Sequence, residues 1–375
     1  MNKDALPRVA IIGSRGIPAN YGGFETFAEE IAAQITQHYG YHVTVVCDAE
    51  QEKHNNGMTE HNGVQLRYST FVKGKQTIRY YRDSIQRVAN DHDIVYSCGP
   101  AGGLFSHIVH KQGGVMLVNP DGLNSRRSKW SWPTKLGFRV FEWFSSRFSD
   151  VVVCDSAAIE DYIRSSYGIS HTFIAEYGAY ENTFINQYDV GCLLKKFGLL
   201  PGEYHLVVSR LEPENNVEMI VRGFSNRVRK YPLVIVGNLK DTDYVCNLKA
   251  CASSQVHFVG GIYERNTLSV IRAKSISYFH GHSVGGTNPS LLEAMGAQNL
   301  CICHDNVFNR EVLGEFGMFF SSLDDVDKLI SEVESGAYDV ELESMRSGAL
   351  GRVRNYYNWE NMVKKYDKLF RQVLN

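Results

Sequence analysis

Apolar positions along the chain follow two alternating rhythms. Short β-branched runs bounded by turn residues recur along most of its length, and between them apolar residues return at every third or fourth position. This pattern predicts βα units and parallel sheets. In the first half the strand-like runs are Val9–Ile12, His42–Cys47, Val64–Tyr68, Ile94–Ser97, Val115–Val118, Val151–Cys154 and Thr172–Ala175. In the second they are His205–Ser209, Leu233–Val236, Val256–Val259, Ile276–Phe279, Leu300–Cys303 and Met318–Phe320. Each set suffices for one doubly wound α/β sheet. Between them lies Tyr177–Val190, a polar and aromatic stretch of weak periodicity after a glycine turn at Gly178, and the domain boundary is placed there. The first helix has Phe24, Phe27, Ala28, Ile31 and Ile35 on one stripe, with Glu25, Glu29, Glu30 and Gln34 on other faces. The final stretch, Trp359–Leu374, gathers Met362, Tyr366, Leu369, Phe370 and Val373 on one side.

Composition narrows the function classes. With 375 residues, 43% hydrophobic and 21% charged, the chain has length for two sizeable cores and is not disordered. No apolar run approaches the roughly 18 residues of a membrane span. Thirty-nine basic against 41 acidic side chains leave a net charge of -2, so no global field draws the chain to nucleic acid or to an anionic membrane. Only a local patch can do so. The start, MNKDALPRVAIIG, lacks a signal-peptide pattern, and a cytoplasmic protein is expected. The eight cysteines form no CxxC or Cys/His set at zinc spacing and read as structural thiols of a reducing compartment. His280 and His282 flank one glycine with no carboxylate or cysteine nearby, so neither a protein-held metal nor another cofactor is expected.

Three clusters carry candidate chemistry. The first strand runs into Gly13-Ser14-Arg15-Gly16-Ile17-Pro18-Ala19-Asn20-Tyr21-Gly22-Gly23 before a helix, a loop whose Gly16, Gly22 and Gly23 suit close approach of an anion or sugar. A dinucleotide fingerprint, helped by Asp48, is the rival reading, although Gly13-x-x-Gly16 and Pro18 break its spacing; a merely tight connection is the bland one. In the second cluster, Val207 to Asn216, a strand delivers Arg210 to its carboxyl end, where a guanidinium grips phosphate. The alternative is a solvated arginine paired with Glu212 or Glu214. The third, Phe279 to Met295, ends a strand in a glycine-rich turn with Asn288 as N-cap and Pro289 as first helical residue. There the N–H groups of Gly286, Thr287, Asn288 and Ser290 suit a diphosphate, and the Glu293 carboxylate suits the hydroxyls of a ribose. Ordinary capping and a surface glutamate are the bland counterparts.

The chain resembles retaining GT-B glycosyltransferases of glycosyltransferase family 4 over almost its whole length. The resemblance rests on Gly22-Gly23-Phe24-Glu25, Ser209-Arg210-Leu211, Asn288-Pro289-Ser290-Leu291-Leu292-Glu293-Ala294-Met295 and the terminal Trp359 helix. Longer motifs, Arg15 to Thr26, Asn119-Pro120-Asp121-Gly122-Leu123, Pro213-Glu214-Asn215-Asn216 and His282 to Pro289, are similar to bacterial rhamnosyltransferases that build capsule, O-antigen and cell-wall polysaccharides. The resemblance implies two Rossmann-like domains facing across a cleft: an acceptor domain at 1–182, a donor domain at 183–354 and a last helix, 355–375, crossing back to the first. It implies Arg210 neutralising the donor diphosphate, the Gly286 to Ser290 amides binding it and Glu293 holding the ribose. Two positions depart from the family pattern. Gly285 stands where the first of two paired glutamates is usual, and Asn215 replaces the lysine five residues after the arginine.

The resemblance also implies same-face substitution assisted by the donor phosphate, with no protein nucleophile. Stabilising the departing diphosphate is electrostatic work for Arg210 and oriented amides, without a metal. Asp121, after the strand Val115–Val118, is placed to orient or deprotonate the acceptor hydroxyl, with an Asp-Gly turn as the alternative; Asp155, at the next strand end, is read as a helix cap. From Arg126 to Phe144 the chain concentrates three of its four tryptophans among basic residues, and Arg126, Arg127, Lys129 and Trp130 are read as contacts to an anionic membrane and a lipid-linked acceptor. A core-packed helix with a basic rim is the alternative. The expected activity is transfer of L-rhamnose from dTDP-L-rhamnose to a polyprenyl-diphosphate-linked saccharide at the cytoplasmic membrane face, with a UDP-hexose as alternative donor. An NAD-dependent nucleotide-sugar epimerase or dehydrogenase is disfavoured by the missing GxGxxG and Tyr-x-x-x-Lys pair. A non-catalytic sugar- or lipid-binding module is the third class.

Overall fold

Each apolar run named above lies on a strand in the computed structural model, which describes residues 6–19, 22–121, 131–182, 190–336 and 339–375. Among the described residues the strands are β1 (Arg8–Ile12), β2 (His42–Cys47), β3 (Glu60–His61), β4 (Val64–Tyr68), β5 (Ile94–Cys98), β6 (Val115–Asn119), β7 (Val151–Cys154), β8 (Thr172–Ile174), β9 (His205–Val208), β10 (Leu233–Val236), β11 (Val256–Gly260), β12 (Ser277–His280), β13 (Cys301–His304) and β14 (Met318–Phe320). Only β3 has no counterpart in the apolar pattern, being two polar residues paired antiparallel to β4.

The chain divides into two units, one holding the residues through Tyr177 together with Trp359–Asn375, the other holding Gly178–Asn358. The first contains a sheet in the order β3-β4-β2-β1-β5-β6-β7-β8, parallel except for β3. Its central strands are buried along nearly their whole length, as continuous apolar runs covered by helices on both faces require. The helix Gly23–Tyr39 buries Phe27, Ala28, Ile31 and Ile35 and stops at Gly40, whose left-handed φ of 74° ends the helix. The last helix, Trp359–Leu374, belongs to this unit. Tyr366 packs on Phe27 with ring centroids 5.2 Å apart, and Tyr41 donates to Asp367 at 2.7 Å.

The second unit contains the parallel sheet β11-β10-β9-β12-β13-β14 around a core of Val207, Phe224, Ile235, Phe279 and Phe320. Gly178–Asn182 go with it because Ala179 donates to the Tyr357 carbonyl at 2.7 Å and Asn182 to that of Gly296 at 2.9 Å. In both sheets strand order reverses beside the first strand of the set, between β1 and β5 and between β9 and β12. In open parallel sheets, ligands bind at the carboxyl ends of the strands flanking such a reversal.

Candidate functional site

At the reversal of the second sheet, β9 hands over to Ser209 and Arg210. The Arg210 guanidinium is half exposed and reaches Glu212 at 3.7 Å, a solvated pair too weak to hold it. Asn215 is buried, and its side-chain amide donates to the Arg210 carbonyl at 2.7 Å. Asn215, expected among the donor-binding residues, thus braces the backbone that carries the arginine. Asn216, at φ 47°, donates to the Gly281 carbonyl at 2.8 Å, and Ser283 donates its N–H and hydroxyl to the Glu214 carbonyl at 3.0 and 2.9 Å. A Cβ on Gly281 would overlap the Asn215 carbonyl oxygen. The loops after β9 and β12 are thus laced backbone to backbone.

Beyond β12 the chain turns through Gly285 at φ +126°, a conformation L side chains rarely adopt. This explains the departure at that position, because a glutamate there would strain the backbone. Asn288 caps the helix Pro289–Gly296, accepting from the Ser290 N–H at 3.0 Å. In the expected amide cradle the Ser290 N–H is thus engaged by the cap, and Pro289 has none. The Ser290 hydroxyl turns inward, 2.6 Å from the Tyr278 hydroxyl and 3.2 Å from the Val208 carbonyl. Glu293 is exposed, but it is not a free surface acid: its Oε2 lies 2.6 Å from the guanidinium of Arg272, a buried arginine that also donates to Ser290 at 3.4 Å. Behind them His280 is fully buried, stacked on His282 at 4.2 Å, with neither ring nitrogen hydrogen-bonded. Burial, then His282 and Arg272, hold its imidazole well below the usual 6.5, so it stays neutral.

In the first unit the glycine loop is fixed by its surroundings. Gly16, at φ +127°, sits where a Cβ would come 2.5 Å from Cys47 Sγ. Gly22 precedes Gly23, the first residue of the helix, and Glu25 is buried under the loop, accepting from the Arg15 N–H at 2.7 Å. The Tyr80 hydroxyl donates to the Ser14 carbonyl at 2.6 Å, and Asn55 and Gln51 donate to Ile17 and Pro18. Asp48, the acid of the rival dinucleotide reading, is buried with Oδ1 accepting from Glu50 and Gln51 and Oδ2 from Lys73, so it is committed to capping. Asp121 lies beyond the end of β6, partly exposed, at a left-handed φ of 65° with its N–H on Asn119 Oδ1 at 2.9 Å. Asp155 was expected to cap the next helix. The cap is Ser156 instead, which accepts from the Ile159 N–H at 3.2 Å. Both carboxylates act on the buried Tyr177 hydroxyl, whose pKa burial already raises. Arg126, Arg127, Lys129 and Trp130 lie outside the described residues.

Neither Arg272 nor Tyr278 stands out in the sequence, where His280 is weighed only as a metal ligand. One faint signal existed, an arginine four residues after Leu268 on the apolar side of the helix Arg265–Ala273.

Residues 6–180 match the model of a domain of unknown function, DUF1972, and residues 196–336 match that of glycosyl transferases group 1. An uncharacterized glycosyltransferase of Methanocaldococcus jannaschii is 21% identical, covering 94% of this chain and 96% of its own. Among solved structures, sucrose-phosphate synthase from Thermosynechococcus elongatus superposes with a TM-score of 0.79 at 16% identity, covering 98% of this chain and 99% of its own. Anabaena HepE in complex with UDP and glucose does so at 0.75 and 14%, covering 98% and 100%. The fold is of the GT-B type, the second unit carries a glycosyl transferases group 1 domain, and together these matches support a glycosyltransferase.

Proposed function

We propose that the chain is a retaining glycosyltransferase of family 4 that moves L-rhamnose from dTDP-L-rhamnose to a polyprenyl-diphosphate-linked saccharide in bacterial surface polysaccharide synthesis. The observation carrying the donor half is the reversal between β9 and β12, which brings together a solvated arginine, a glycine turn leading into a helix and an exposed carboxylate. Arg210 would meet the diphosphate, the Gly286 to Asn288 amides would hold it beside the positive end of the helix, and Glu293 would take the ribose hydroxyls. As the bond from the sugar C1 to phosphate oxygen breaks, the Arg210 cation and these dipoles stabilise the departing charge. The acceptor oxygen bonds C1 on the same face, and its proton passes to the leaving phosphate. The long motifs shared with rhamnosyltransferases support the sugar.

The test incubates the protein with dTDP-L-rhamnose, UDP-glucose and a polyprenyl-diphosphate-linked saccharide, and measures melting temperature with dTDP, UDP and GDP. Rhamnose transfer and the largest stabilisation by dTDP are expected. Transfer from UDP-glucose alone would replace the donor, while no transfer together with tight NAD binding would end the reading. Arg210→Ala should remove most turnover at an unchanged melting temperature.

A further inference from the structure

The helix Trp132–Phe148 is built inside out. Its buried residues are Glu142, Ser145 and Ser146, while Trp132, Leu136, Val140, Trp143, Phe144 and Phe148 are all exposed, Trp132 by 75% and Val140 by 51%. At about 100° per residue these six cover an arc of roughly 160°. At 1.5 Å per residue the stripe runs about 24 Å. A helix on a soluble domain normally turns such a face to the core. Here it is locked outward. Ser145 packs on Gly103, where a Cβ would come 2.5 Å from the Ser145 Cα, so rotating the apolar side inward would drive Phe144 into backbone. Glu142 accepts from Tyr167 at 2.8 Å and Tyr162 at 3.4 Å, which fixes the same orientation.

We infer that this stripe is a membrane-docking surface that lies in the interface of an anionic bilayer. Charge selects the occupant. The helix carries Lys135, Arg139 and Arg147, the last two exposed, and its one acid, Glu142, is buried. Aromatic and aliphatic residues beside basic ones match acyl chains under anionic headgroups. A second copy of the chain, packed antiparallel about a two-fold axis at the middle of the stripe, would set Arg139 of each copy against Arg147 of the other. The inference rests on the proposed function only in supplying a reason for docking, access to a lipid-linked acceptor.

The test is flotation of the full chain with vesicles of phosphatidylglycerol and phosphatidylcholine, or of phosphatidylcholine alone, without donor or acceptor, so it reads docking whatever the enzyme transfers. The wild type should float with the anionic vesicles. Leu136→Ser, Val140→Ser and Phe144→Ser combined should cut the bound fraction by about tenfold or more, since three apolar side chains leave the lipid. Arg139→Gln with Arg147→Gln should weaken the preference for anionic vesicles. The melting temperature and its rise with nucleotide should stay as in the wild type, the altered side chains being exposed. No flotation of the wild type, or a concentration-dependent dimer that the triple serine variant abolishes, would overturn the inference.

Discussion

Replacing Glu293 by alanine should cost stability as well as activity, and the cost should depend on Arg272. Arg272 is 6% exposed and Glu293 44%. Removing one partner of a buried ion pair costs roughly 3–5 kcal/mol because the other charge is left in a poorly solvated site. Since Glu293 is nearly half in water, the pair is partly screened, and we expect about 2 kcal/mol for Glu293→Ala. In Arg272→Met the buried charge disappears and the remaining carboxylate is solvated, so about 0–1 kcal/mol is expected. The double variant should resemble Arg272→Met, giving a coupling of about 2 kcal/mol, the whole cost of Glu293→Ala. In a unit of this size Glu293→Ala would lower the melting temperature by about 4–8 °C. Thermal unfolding of wild type, both single variants and the double variant by circular dichroism measures the cycle. A wild-type melting temperature for Glu293→Ala, or equal and additive losses from the two single variants, would refute this account of the pair. The activity of Glu293→Ala should accordingly be assayed well below its own transition.

Gly281→Ala should lower the melting temperature by several degrees, overpacking costing about 1–3 kcal/mol, because its Cβ meets the Asn215 carbonyl; an unchanged transition would mean the two loops are not laced. Stability should fall on acidification from pH 6.5 to 5. His280, held well below the usual 6.5 chiefly by burial, stays neutral in the folded chain while its unfolded counterpart takes up a proton below about 6.5, so this site contributes a slope of about 1.4 kcal/mol per pH unit once the unfolded histidine is protonated. His280→Phe should flatten the pH dependence of the melting temperature, and an unaltered slope would contradict the assignment. With a thiol reagent at mildly alkaline pH, the exposed Cys192 and Cys246 should label first. Cys47 and Cys301, each pushed up to about 12 by burial, should label only on unfolding, and mass spectrometry of the native protein would reveal any early modification of Cys47.

The sequence by itself determined both sheets, because a strand buried on two faces must be apolar throughout and is bounded by turn residues, as in Val115–Val118 and Leu233–Val236. It also located the loop after β9, the Asn288 cap and Pro289, since caps and helix starts are written in local chemistry. It could not assign tasks to side chains whose partners are distant in the chain. Asn215 stood in the sequence where a lysine is usual, and the structure shows its amide holding the Arg210 carbonyl. Glu293 looked isolated among apolar neighbours, yet it pairs with Arg272, 21 positions earlier on another helix. Asp155 stood at a strand end and left the cap to Ser156. The tryptophan-rich helix showed its composition but not its orientation, since the contact between Ser145 and Gly103 and the bonds from Tyr162 and Tyr167 to Glu142 turn the polar side inward. Local periodicity encodes which residues are apolar; which of them meet water is decided by the packing of segments far apart in sequence, and that only the tertiary structure contains.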